Sequence, residues 1–118
     1  METLAFSIIG KPYNSNVMRS VMNNTQLGVP NARVTAATID DGSDDNLYMV
    51  WCENLMPGDG STIARKFINA TDDGTFTPIT SFRQLKNITS RTEFMASLAK
   101  YQDGKNKVKI ANRNWNKD

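Results

Sequence analysis

Leu4, Phe6 and Ile8 alternate with Ala5, Ser7 and Ile9, and this period of two predicts a half-buried strand over residues 4–9. Gly10, Lys11 and Pro12 end it. Val17, Met18, Val21 and Met22 then share one helical face, and Asn14 or Ser15 supplies a cap, so a helix is expected from there to about Leu27. Gly28 is its C-terminal stop and Pro30 prevents continuation. Residues 32–39 and 46–55 are rich in Val, Thr, Tyr and Trp. They flank Asp40, Asp41, Gly42, Ser43, Asp44 and Asp45, which reads as a β-hairpin with an acidic loop. After a turn at residues 56–61, residues 62–70 and 75–79 flank Asp72, Asp73 and Gly74 and are expected as a second hairpin. Pro78 makes its later strand short or an edge.

The C-terminal part carries the sharpest helix signal. Ser90, Arg91, Thr92 and Glu93 form a capping box, in which the Ser hydroxyl accepts from the Glu93 amide and the Glu side chain returns to the Ser90 amide. Phe94, Leu98 and Tyr101 follow at i, i+4 and i+7, Met95 lies beside them, and Gly104 falls just past the end. Residues 105–110 alternate strictly, predicting a strand with Val108 and Ile110 on one face and Lys105, Lys107 and Lys109 on the other. The expected order is βαββββαβ, an α+β fold with a mainly antiparallel sheet and two helices, in a single domain over residues 1–118. Phe6, Trp51, Phe94 and Leu98 are expected in its core.

Composition narrows the chemistry. The chain of 118 residues is 39% hydrophobic, enough for a buried core. No apolar run reaches the ~18–20 residues of a membrane span, and Met1, Glu2 and Thr3 lack the basic start of a signal peptide, so no membrane partner is expected. A single Cys, Cys52, excludes an internal disulfide. There is no His, which removes Ser–His and Cys–His nucleophile pairs and the commonest metal ligand. The chain is therefore expected not to be an enzyme, with no cofactor and no metal. Asn-x-Thr triplets at Asn23, Asn69 and Asn87 are what a chain this rich in Asn and Thr produces by chance.

Four segments invite a chemical reading, and for three of them the plainer one prevails. The acidic loop lacks the Gly spacing and the closing Glu of an EF-hand, because position twelve from Asp41 is Cys52. A solvated hairpin loop accounts for it. Gly58, Asp59, Gly60, Ser61 and Thr62 resemble the end of a phosphate loop, but no Lys precedes the Ser and a strand is expected next. Cys52 beside Trp51 reads as a buried inert thiol, and Met49 and Trp51 as core.

The fourth is a charge split. Residues 1–64 hold three basic and seven acidic side chains, whereas residues 65–118 hold eleven basic and five acidic. From Arg83 to Lys117 nine basic residues face only Glu93 and Asp103. Arg83, Lys86, Arg91, Lys105, Lys107, Lys109 and Arg113, with Tyr101 and Trp115 interleaved, have the makeup of a nucleic-acid site: cations release counterions from phosphates and rings stack on bases. The plainer reading is that the lysines protect an exposed edge strand.

With its small size, absent His and Asn/Thr richness, the chain is expected to be a nucleic-acid-binding, self-assembling protein of viral or phage type, a coat or single-strand-binding subunit, located in cytoplasm or virion. Contacts would be to the RNA or DNA backbone. Strand signals at both ends, which leave edges to be covered, point to a homo-oligomer. The alternative is a protein–protein module of inhibitor or immunity type that uses the acidic loop.

Overall fold

A computed structural model describes residues 1–10, 22, 29, 31–69, 79–104 and 106–114, without the side chains at positions 79, 80, 113 and 114. Among the described residues five strands, β1 (Glu2–Gly10), β2 (Arg33–Asp40), β3 (Asn46–Leu55), β4 (Ile79–Gln84) and β5 (Lys107–Asn114), and two helices, α1 (Asp59–Ile68) and α2 (Arg91–Asp103), are defined. The strands form one sheet in the order β4-β1-β3-β2-β5, and every pairing is antiparallel. The α+β class, the antiparallel sheet and the acidic β2–β3 hairpin are as expected from the sequence.

The pleat sorts the strand side chains onto two faces, and each face carries its own apolar cluster. Phe6, Ile8, Val34, Ala36, Tyr48, Val50 and Cys52 point to the first face and pack with Ile63, Ala64 and Phe67 of α1. Phe67 meets Phe6 edge-on at 5.9 Å and Tyr48 at 6.0 Å. Ala5, Ala37, Ile39, Met49 and Trp51 point to the second face and pack with Phe94 and Leu98 of α2. Trp51 stacks on Phe94 with centroids 6.2 Å apart. The central strands are therefore buried on both sides, which explains why β2 and β3 read as nearly continuous apolar runs.

Residues 62–70 are not a strand. Helix α1 covers Asp59–Ile68 instead, because Ile63, Ala64, Phe67 and Ile68 fall on one helical side. Strand alternation would have put exposed Arg65 on the same face as Ile63 and Phe67. Gly58 enters the helix at φ 91°, a left-handed conformation open to glycine. Gly60 lets α1 close on the sheet, since a Cβ there would sit 3.2 Å from Leu4 Cδ2. The strand expected at 75–79 starts at Ile79 and runs on to Gln84, and residues 75–78 lie outside those described. Of the helix expected up to Leu27, Met22 is described; it is helical and buried in the first cluster, while the rest lies outside the described residues.

One irregularity sets the end of β3. Between the pairs Leu4↔Cys52 and Glu2↔Leu55, β3 spends one residue more than β1. Asn54, at φ 65°, takes up the extra residue, and this turns Leu55 into the first core cluster. The capping box of α2 is partly as expected. Ser90 Oγ accepts from Glu93 N at 3.2 Å, but the Glu93 carboxylate reaches Thr89, whose N–H and hydroxyl donate at 3.2 and 3.3 Å. Among the described residues no helix is long and apolar enough to cross a membrane.

Candidate nucleic-acid interface

Strand β5 lies at one end of the sheet, paired through β2 alone. Its register sets Lys107 opposite Asp40, Lys109 opposite Thr38, Ala111 opposite Ala36 and Arg113 opposite Val34, so these four positions share the first face. Val108, Ile110 and Asn112, opposite Ile39, Ala37 and Thr35, fall on the second. Lys107 and Lys109 are exposed, and neither joins an ion pair among the described residues. Val108 packs against the second core cluster and fixes the strand's orientation. Ile110, on the same face, is 37% exposed and does not join that cluster. Lys105 and Trp115 lie outside the described residues, and of Arg113 only the backbone position is described.

The remaining cations do not gather on that face. Arg91 opens α2, on the second face, and its Nη2 donates to Asn112 Oδ1 at 3.2 Å. The same oxygen accepts from Thr35 Oγ1 at 2.7 Å, so Arg91 is tied into a small network over β2 and β5. Its Nε is buried without an acceptor, as is Trp51 Nε1. Arg83 is on β4, the opposite edge, and points to the second face; Lys86 is exposed in the loop that follows. Four inter-strand spacings, about 19 Å, separate β4 from β5. Tyr101 is half-buried against the second cluster and lines a cavity of about 350 Å³ with Ile39, Leu47 and Asp45. Its ring is thus committed to packing on at least one side. The nine residues chosen from the sequence are not one continuous stripe; Lys107, Lys109 and the Arg113 position form its coherent part.

The acidic loop sits at the end of the same strands. Asp40 Oδ1 accepts from Gly42 N at 2.8 Å, Asp41 Oδ1 accepts from Ser43 N at 2.9 Å, and Ser43 Oγ donates to the Asp45 carbonyl at 2.8 Å. These are side-chain-stabilised turns, and Gly42 supplies the φ of 84° they need. The Ser43 side chain beside it and then the hydrogen bond from the Ser43 amide hold the Asp41 carboxyl below the usual aspartate range. No group of three or more His, Cys, Asp or Glu able to hold a metal ion occurs among the described residues.

The stretch resembling a phosphate loop does open a helix, contrary to expectation. Yet the Asp59 carboxylate occupies that helix start and accepts from Met56 N at 3.2 Å, placing negative charge where a phosphate would bind. Cys52 is buried, and burial pushes its thiol pKa up, so it stays protonated. A groove of about 720 Å³ lies between α1 and the β1–β4 edge, walled by Leu4, Leu55, Ile68 and Phe82, with Arg65 and Glu2 at its rim. Comparison with protein-family models, with characterised proteins and with solved structures finds no match for this chain.

Proposed function

We propose that this chain is a small, self-assembling nucleic-acid-binding protein of viral type, and that β5 is its contact strand. The observation that supports this reading is a row of exposed cations on an edge strand, Lys107 and Lys109, which join no ion pair among the described residues, continued by the Arg113 position. Side chains two apart on a strand repeat at about 7 Å, a spacing that lets successive ammonium groups follow a flexible phosphate backbone. Such contacts hold the backbone and do not read sequence. The sheet supplies rigidity: β5 is zipped to β2 from Arg33↔Asn114 to Asp40↔Lys107 and pinned by Val108. Lys105 and Trp115 flank this row in sequence and extend the proposed site.

The acidic loop supports a second reading, a protein–protein module whose partner is basic. The loop is exposed and already shaped by its own hydrogen bonds, which lowers the ordering cost of binding.

Fluorescence anisotropy with labelled single-stranded and duplex oligonucleotides of unrelated sequence, at low ionic strength, tests the first reading. Saturable binding that weakens steeply towards physiological salt is expected. Absence of binding to every oligonucleotide would leave the β5 lysines as edge protection and put the protein-partner reading first.

A further inference from the structure

The two edges of the sheet differ in what they offer a second copy of this chain. On β5, the longest symmetric antiparallel self-pairings meet like charge. The two registers that join seven residues, centred on Ile110 and on Ala111, oppose Lys107 to Arg113 and Lys109 to Arg113. Like charges directly opposite each other disfavour strand pairing. On β4 the symmetric register centred on Phe82 opposes Phe82 to itself, Ser81 to Arg83 and Thr80 to Gln84, with no like-charge pair.

The backbone of β4 is set up for that register. Leu85 N–H donates to Ala5 O at 2.7 Å, continuing the β1–β4 ladder. In an antiparallel ladder the bonding direction alternates, so Arg83 faces β1 while Phe82 and Gln84 aim their N–H and C=O outward. Ser81, Phe82, Arg83 and Gln84 are all exposed, and Phe82 is 45% exposed although its ring already packs at 5.5 Å from Phe6. An exposed strand edge with a half-covered aromatic is a template for another strand. The groove beside α1 borders the same edge, with Phe82 and Gln84 in its wall.

We infer that β4 is the dimer interface: two copies pair antiparallel at this edge, Phe82 meeting Phe82 on the two-fold axis, to make a continuous ten-stranded sheet. The Phe82 residues exchange two N–H···O=C bonds, and Thr80, the extra residue between the pairs Ile9↔Ser81 and Gly10↔Ile79, ends the regular part of the edge. The two β5 edges then lie at opposite ends, nine spacings or about 43 Å apart, which leaves both cationic rows free. This inference stands on the edge geometry and does not require nucleic-acid binding.

Sedimentation velocity of the purified chain without nucleic acid, from about 1 to 500 μM, tests it. The expected result is a concentration-dependent shift towards twice the 13.2 kDa of one chain. Gln84→Pro removes an outward N–H at an edge, where proline is tolerated, and should abolish the shift; Ile110→Lys on β5 should leave it intact. Should Gln84→Pro fail to fold, Phe82→Cys decides. Residues facing each other in such a pair have Cα atoms about 5.5 Å apart, within disulfide reach. Mild oxidation should therefore link Phe82→Cys chains into dimers, while wild type, with Cys52 buried, stays unlinked. A wild type that remains monomeric throughout, dimerisation of a folded Gln84→Pro, loss of the dimer in Ile110→Lys, or no cross-link in Phe82→Cys would each overturn the assignment.

Discussion

Ser90 and Cys52 show how far single residues can be read. Ser90 Oγ satisfies the Glu93 amide at the start of α2, so Ser90→Ala should cost about 1 kcal/mol, measured by urea denaturation. An unchanged midpoint would mean that water replaces the cap without loss. Cys52 is sealed within β3, and the medium around it keeps the thiol protonated. Ellman's reagent should therefore leave the native protein unmodified and react with one thiol per chain in denaturant. Asp41 provides a pH check. Its folded pKa lies below the unfolded value, so its small contribution to the loop is present above the ordinary aspartate pKa and fades as pH falls through the folded one. A carboxyl titration followed by NMR should place Asp41 below the usual aspartate range. Core residues and caps were legible at this scale because each depends on a local pattern. The orphaned Arg91 Nε and Trp51 Nε1 were not, because they arise where elements far apart in sequence meet.

At the scale of elements, the two helices teach opposite lessons. α2 was legible from its cap, its i, i+4, i+7 face and the Gly104 stop. Leu98, 1% exposed on that face, should cost roughly 2–5 kcal/mol when changed to Ala. A loss of less than half that would mean that α2 does not close the second core. α1 was hidden. Its start, Ser61-Thr62-Ile63, favours a strand locally, and Asp72-Asp73-Gly74 suggests a hairpin turn downstream. The signal that distinguishes a helix was nonetheless present: Ile63, Ala64, Phe67 and Ile68 on one side, Asp59 in the first turn and Arg65 and Lys66 in the last. Tertiary packing of Phe67 against Phe6 and Tyr48 prevails over the β-branched start. Gly58, at φ 91°, makes this helix entry testable: Gly58→Ala should cost about 1–2 kcal/mol through left-handed strain, since its Cβ would meet no neighbouring atom.

For the whole molecule, pairing order is what the sequence left open. Both terminal strands read as edges in the sequence, yet β1 lies between β4 and β3, and of the two only β5 is an edge. Alternation states which side chains share a face, but not which strands are neighbours. That is why Lys107 and Lys109 were correctly grouped, while Arg83, Lys86 and Arg91, close in sequence, are dispersed over the other edge and the other face. The functional account accordingly rests on β5. Its most direct test is the salt dependence of nucleic-acid binding, compared between wild type and a chain with Lys105, Lys107 and Lys109 all changed to Gln. The account predicts weaker binding to unrelated sequences alike, a slope of log K against log salt flatter by about 2–3 units, and an unchanged fold by circular dichroism. A variant that keeps the wild-type affinity and slope would contradict it.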